Sequence, residues 1–233
     1  VLEAFRQTNA EGVFIYLSTN KVYGNNVGRH TLCEKESRYG FLEVSGIDEF
    51  ESIDLTGHTP YGISKLVGDL YVQDYSYTYG LRTGVFRMSC IYGTRQFGFE
   101  DQGWIAWFCR CFLTGQPITL FGDGKQVRDV LWVDDLVDAF DKFIHSDLRQ
   151  EVFNIGGGLS KSLSLLELIG LLEDITDLKV DIRHKDWRKF DQKVYLSDID
   201  KVCSKLKWTP NVEPSEGVTR LTRWMQSNID LFR

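Results

Sequence analysis

The sequence lacks most of the patterns that announce metal, disulfide or membrane chemistry. Its four histidines, His30, His58, His145 and His184, are scattered and form no H-E-x-x-H, so no metal site is expected. The five cysteines, Cys33, Cys90, Cys109, Cys111 and Cys203, are odd in number and contain no C-x-x-C pair. Cys109 and Cys111 stand two apart in what reads as a helix, where such positions point to different sides. All five are expected to be reduced thiols in a cytoplasmic protein. No apolar run approaches the ~20 residues of a membrane span, and no secretory leader opens the chain. Nor is there an excess of positive charge. The 27 Lys and Arg against 33 Asp and Glu leave a net charge of −6, which argues against a general nucleic-acid binder. A few local arginines could still hold an anionic substrate. There is no internal repeat and no low-complexity linker. The most telling gap is the glycine-rich first turn of a dinucleotide fold, with its acidic residue about 20 positions later. Gly156-Gly157-Gly158 follows a strand but comes far too late in the chain.

What is present reads as α/β. At 233 residues and 42% hydrophobic content, the chain suits one large domain or two small ones, with a real core. Val1 to Gln7 reads as the end of a helix. Val13 to Leu17 is a continuous apolar run between Gly12 and Ser18, the pattern of a parallel strand buried on both faces. Residues 25–58 are polar and aperiodic and are expected to form a long loop, a type uncommon unless functional. Thr59 and Pro60 then start a helix as N-cap and first helical residue, and Gly80 ends it. Thr83 to Met88 is a second buried strand. Strand, helix, strand in that order implies a parallel sheet with a right-handed crossover.

Further along, Gly103 to Thr114 reads as a helix with Trp104, Trp107 and Phe108 on one face. Short strands at 118–121 and 127–133 flank the turn Gly122-Asp123-Gly124. Asp134 is expected to cap a helix to Ile144, and Val152 to Ile155 is a strand. Ser164 and Glu167 form a capping box, with Leu163 and Leu168 as its hydrophobic staple. A strand at 180–184 and helices near 198–206 and 214–228 complete the pattern.

The chemistry centres on Tyr61 and Lys65, four apart on one helix and therefore on one face. A tyrosine phenol ordinarily titrates near 10 and is a poor base at neutral pH. A neighbouring ammonium favours the phenolate, so the pair can take a proton from a sugar hydroxyl while hydride leaves the same carbon. Thr19 lies at the carboxyl end of the first strand, where ligands bind in open α/β sheets. Its hydroxyl can bond both the substrate oxygen and the tyrosine oxygen. A chain with ten tyrosines can show Y-x-x-x-K by chance. The context is what gives this one weight: a helix between two buried strands, after a strand ending Ser18-Thr19.

Leu17-Ser18-Thr19-Asn20-Lys21-Val22-Tyr23-Gly24 and Pro60-Tyr61-Gly62-Ile63-Ser64-Lys65 resemble the two signatures of the extended short-chain dehydrogenase/reductases that act on nucleotide sugars. Arg95-Gln96-Phe97, Asp101-Gln102-Gly103-Trp104, Gly124 to Asp129, Phe153 to Gly157 and Ser164 to Glu167 extend the resemblance to the CDP-paratose 2-epimerase branch, from Val13 almost to the chain end. The resemblance implies a Rossmann-type doubly wound parallel sheet, with residues 1–93 as the C-terminal half of the NAD-binding domain. Residues 94–233 would be mainly a nucleotide-sugar-binding domain, with 127–156 crossing back to the Rossmann sheet. It implies NAD as cofactor, CDP-paratose as substrate, and epimerisation by transient oxidation at C2. Thr19, Tyr61 and Lys65 would be catalytic. Ser18, Tyr61, Lys65 and Met88 would hold the cofactor. Asn20, Lys21, Cys90, Arg95, Gln102, Trp104, Arg128 and Arg188 would contact the substrate, the last two arginines gripping its diphosphate.

Two departures qualify this expectation. Sugar dehydratases of the superfamily carry Asp-Glu after the threonine, because expelling water needs an added acid and base. Asn20 and Lys21 cannot do that chemistry, so elimination is disfavoured. Cys90 stands where the family has a small polar residue, and a thiol is a weak hydrogen-bonding group. By the resemblance, about a hundred N-terminal residues that hold the NAD pyrophosphate precede this segment. The chain alone is therefore expected not to retain NAD. The apolar edge of the strand at 13–18 would need cover, for which a homo-oligomer is expected. An epimerase acting at another carbon or on another sugar, a dehydratase, or a non-catalytic remnant remain alternatives.

Overall fold

The computed structural model describes residues 1–9 and 11–232. In chain order the elements are α1 (Leu2–Thr8), β1 (Val13–Thr19), β2 (Leu32–Glu34), β3 (Tyr39–Phe41), α2 (Pro60–Tyr79), β4 (Arg82–Met88), β5 (Cys90–Tyr92) and α3 (Trp104–Thr114). They continue with β6 (Ile118–Phe121), β7 (Val127–Trp132), α4 (Val133–Ile144), β8 (Gln150–Ile155), β9 (Ser162–Ser164), α5 (Leu165–Thr176), β10 (Ile182–Lys185), β11 (Val194–Tyr195), α6 (Asp200–Leu206) and α7 (Pro214–Ser227). Among the described residues, no helix is long and apolar enough to cross a membrane.

The fold is α/β, as expected. β1, β4 and β8 form a parallel sheet in that order. Phe86, Phe143, Phe153 and Trp208 pack one face of it against α4 and α6. A second sheet is ordered β11-β7-β5, all parallel, with β9 antiparallel to β7. The short parallel pair β10-β6 lies apart from it. Helices α3, α5 and α7 cover the second sheet around Ile105, Phe112, Leu172 and Leu221. Within 127–156, β7 stays in the second sheet, while α4 and β8 return to the first.

Local signals set the ends of α2. Thr59 accepts a hydrogen bond from Gly62 N at 3.1 Å, Pro60 occupies the first turn, and Gly80 adopts the left-handed conformation at the C-terminus. The Ser164–Glu167 capping box is formed at α5. The start of α4 departs from expectation. Asp134 does not cap it, because its carboxylate accepts the indole N–H of Trp132 at 2.9 Å. The expected loop at 25–58 also contains more structure than its composition suggests. Residues Asn20–Arg29 form 3-10 turns kinked at Gly24, whose φ of 55° suits glycine, and β2 and β3 form a hairpin.

One buried network joins α2 to the first sheet. Ser18, Arg87 and Asn154 stand side by side on β1, β4 and β8. Asp69 of α2 accepts from Ser18 Oγ at 2.6 Å, Arg87 Nε at 2.9 Å and Gln73 Nε2 at 2.6 Å. Arg87 also donates to the Tyr23 hydroxyl at 3.2 Å, which donates in turn to Asn154 Oδ1 at 2.6 Å. A second buried carboxyl, Asp129 on β7, accepts from Ser89 Oγ and from Gly158 N–H. Burial nevertheless pushes it up to about 6.

Two outcomes follow from these buried charges. Removing one partner of a buried ion pair leaves the other uncompensated, so Arg87→Met is expected to destabilise the fold by about 3–5 kcal/mol in urea unfolding. A loss below about 1 kcal/mol would show that Asp69 is satisfied without it. Asp129 holds its proton to higher pH when folded than when unfolded. Its contribution is therefore complete below about pH 4 and is lost as pH rises through about 6. Unfolding at pH 4, 5 and 6 should show wild type losing stability relative to Asp129→Asn, by about 1 kcal/mol per pH unit. A pH-independent difference would mean that the carboxylate is charged throughout.

Candidate active site

The catalytic candidates converge at the carboxyl ends of β1 and β4. Thr19 and Met88 are register partners at the last positions of these strands. Tyr61 and Lys65 occupy the first turns of α2, which packs beside β1. Glycine 62 permits this approach, since a Cβ there would lie 2.8 Å from the carbonyl oxygen of Lys21. Lys65 Nζ donates to Leu17 O at 3.0 Å and lies 5.6 Å above the Tyr16 ring. Tyr61 is 55% exposed and lines a cavity of about 530 Å³ with Thr19, Asn20, Lys21, Met88 and Cys90. Thr19 Oγ1 donates to Asn20 Oδ1 at 3.3 Å and accepts from Lys21 N at 3.3 Å, which orients the threonine and the turn after it.

Ser18, expected at the cofactor, faces away from this cavity. Its side chain is fully buried and donates to Asp69. Alternation along the strand turns Ser18 towards α2 and the next residue, Thr19, the other way. Arg95 is exposed, with a φ of 66°, and lines neither cavity described here.

A second cavity, of about 260 Å³, adjoins the first. Lys21, Cys90, Gln102, Gly103, Trp104 and Asp101 line both. The second is completed by Phe121, Gln126, Arg128, Arg188 and Asp191, among others. The two arginines expected at the diphosphate therefore share one cavity. Each is also held by a carboxylate that the sequence did not single out: Arg128 by Asp191 at 2.7 Å, Arg188 by Asp101 at 2.7 Å. The Arg188 guanidinium stacks on Phe121, 3.8 Å from the ring centroid. Gln126 is buried, and its Oε1 has no hydrogen-bond partner while its Nε2 donates to Phe121 O. The buried Trp104 Nε1 likewise has no acceptor. Both atoms are therefore free to bond a polar ligand in this cavity.

Lys21 occupies the junction of the two cavities. Its Nζ donates to Gln192 Oε1 at 3.3 Å, and Gln192 Nε2 donates to Gly24 O at 3.3 Å. Burial, then the charge of Arg128, push Lys21 down to about 8, with Asp191 and Cys90 acting in the opposite sense. Burial pushes the Cys90 thiol up, so it is neutral at pH 7 and does not serve as an anionic contact.

Asp101, Phe121 and Asp191, which line the second cavity, and Asp69 and Gln192, which hold Ser18 and Lys21, were not singled out from the sequence. Phe121 had a usable signal, an aromatic at a strand end before a glycine turn. Asp69 had another, a carboxylate four positions after Lys65 on the same helical face.

Residues 1–156 match the sequence model of the NAD dependent epimerase/dehydratase family. The chain is 41% identical over 235 residues to the CDP-paratose 2-epimerase of Salmonella typhi, covering 97% of this chain and 69% of that protein. It is 33% identical over 191 residues to a putative UDP-glucose 4-epimerase of Methanocaldococcus jannaschii, covering 82% and 60%. The fold superposes with a TM-score of 0.81 on a Thermotoga maritima UDP-glucose 4-epimerase solved with UDP-glucose, at 30% identity, covering 98% of this chain and 67% of that one. The chain thus spans between 60% and 69% of the length of these relatives. On the strength of both the sequence match and the shared fold, the chain belongs to the NAD dependent epimerase/dehydratase family.

Proposed function

We propose that this chain carries the catalytic and substrate-binding residues of an NAD-dependent nucleotide-sugar epimerase, with CDP-paratose as substrate and CDP-tyvelose as product. The observation that carries the reading is that Thr19 and Tyr61 line one cavity, with Lys65 one helical turn from Tyr61 and bonded to Leu17 O, while the adjoining turn bears Asn20 and Lys21 instead of two carboxylates. The 41% identity to a CDP-paratose 2-epimerase supports the choice of sugar.

NAD, when bound, supplies the hydride acceptor and donor. The residues present fit its nicotinamide-ribose end. Lys65 uses one of its three ammonium donors on Leu17 O and keeps the others for a ribose hydroxyl. Met88 supplies an apolar wall. Tyr61 takes the proton of the sugar hydroxyl and later returns it to the same oxygen. Thr19 Oγ1 holds that oxygen in line with Tyr61. Asn20 is buried and keeps the threonine hydroxyl in place. Arg128 and Arg188 hold the diphosphate, with Gln102, Trp104 and Phe121 around the base. The keto sugar is released from Tyr61 but not from the arginines, so it can present its other face. A homo-oligomer covering the open edge of β1 completes this reading.

The test is conversion of CDP-paratose, with NAD added, by the protein carrying the N-terminal residues expected to hold the NAD pyrophosphate, followed by separation of the two epimers. Tyr61→Phe is expected to lower kcat by about 10²–10⁴-fold while nucleotide affinity is retained. Turnover of Tyr61→Phe at the wild-type rate would remove Tyr61 from the mechanism. Epimerisation of a different nucleotide sugar with CDP-paratose untouched would overturn the substrate.

A further inference from the structure

We propose that Lys21 is the cation that grips the sugar-side phosphate of the nucleotide sugar, at the junction of the two cavities. The inference rests on the nucleotide-sugar reading above and adds to it the position and charge of one contact.

Position comes first. A ligand with its sugar beside Thr19 and Tyr61 and its nucleoside beside Phe121 must run from one cavity into the other. Lys21 lines both, whereas Arg128 and Arg188 line only the second. The diphosphate of such a ligand lies between its two ends. The phosphate nearer the sugar therefore falls at the junction, and the nucleoside-side phosphate falls towards the arginines. Lys21 is held there by its own backbone, whose N–H donates to the catalytic threonine and whose carbonyl abuts Gly62.

Charge comes second. Among the described residues, each arginine of the second cavity already has a carboxylate at 2.7 Å. Lys21 has only the neutral amide oxygen of Gln192, at 3.3 Å, and forms no salt bridge. It is thus the cation in these cavities whose charge is least compensated. A part-buried ammonium without a counter-ion is costly, and a phosphate oxygen offsets that cost. The compact ammonium suits a single phosphate oxygen, whereas the forked guanidinium suits two.

The titratable and charged groups that share these cavities with Lys21 are Arg128 on β7, Cys90 on β5, Arg188 and Asp191 before β11, Glu100 and Asp101 before α3, and Tyr61 on α2. An anion bound at Lys21 stabilises its protonated form. Affinity for that anion is therefore full below about pH 8 and falls as pH rises above it.

The test is calorimetric titration of the purified chain with CDP and CMP, and with UDP and UMP in parallel, at pH 7 and pH 9. Wild type, Lys21→Met and Lys21→Arg are compared. The expected result is that Lys21→Met weakens CDP by about 10- to 100-fold and CMP by less than about twofold. CMP binding shows that the variant is folded. Lys21→Arg should recover most of the loss, and the weakening of CDP between pH 7 and pH 9 should vanish in Lys21→Met. Equal losses for CDP and CMP, or no loss for either, would overturn the assignment of Lys21 while leaving the nucleotide-sugar reading intact. A wild-type chain that binds none of the four nucleotides would overturn both. If only the uridine pair binds, loss of UDP but not UMP in Lys21→Met would support Lys21 and change only the base.

Discussion

The geometry of this protein depends on one buried ion pair, Asp69 with Arg87. The two side chains lie in the interior, where unpaired charges are costly. They are tolerated because every neighbour supplies a hydrogen bond: Ser18 from β1, Gln73 from α2, and Tyr23 with Asn154 on the far side. The consequence is positional. Tyr61, Lys65 and Asp69 stand four apart along one face of α2. Anchoring Asp69 to Ser18 and Arg87 sets both the rotation of the helix about its axis and its height along β1. Lys65 then meets Leu17 O, and the next turn brings Tyr61 to the cavity that Thr19 lines. Ser18 and Arg87 directly precede Thr19 and Met88 in two paired strands. The buried row thus lies one residue behind the row that faces the cavity.

The second half of the chain solves a different problem. The first sheet places a hydroxyl, a phenol and an ammonium; the second sheet and its helices place charge and aromatic surface for an anionic, planar ligand. The segment after β10 connects the two. Asp191 holds Arg128, Arg188 reaches Asp101, and Gln192 touches both Lys21 and Gly24. Among the described residues, each arginine of the second cavity is therefore paired with a carboxylate, whereas Lys21 forms no salt bridge.

Much of this architecture was legible from residue order. The apolar run at β1, the Thr59-Pro60 start and Gly80 stop of α2, and the Ser164–Glu167 box all act through neighbours in sequence, so local pattern reveals them. The short strands β5, β9 and β11 were not legible, because two or three residues carry no period. The 3-10 turns after Thr19 were hidden by their polar composition, although Val22, Tyr23 and Val27 are buried there against α2 and β11. Asp134 failed as a cap because a nearby indole N–H was the better placed donor. At the candidate site, Thr19 and Tyr61 line the cavity, while Ser18 does not. A serine before such a threonine looks like a ligand contact until Asp69, fifty-one positions away, shows where its hydroxyl points. Asp101 and Asp191 were invisible for the same reason, since each is defined by an arginine from a distant segment.

The turn after Thr19 decides which reaction this frame can support. An Asp-Glu pair there would supply the acid and base that expulsion of water requires. In this chain Asn20 is buried and accepts the Thr19 hydroxyl proton through its amide oxygen. An amide keeps that orientation without offering a proton acceptor for elimination. A glutamate in place of Lys21 would face Arg128, compete with Asp191 for it, and remove the positive charge of Lys21 from the junction. The two positions therefore act together. In the proposed reaction Asn20 would keep the threonine aligned for proton exchange at a single carbon. Lys21 would keep the substrate's phosphate end anchored while the oxidised sugar turns over.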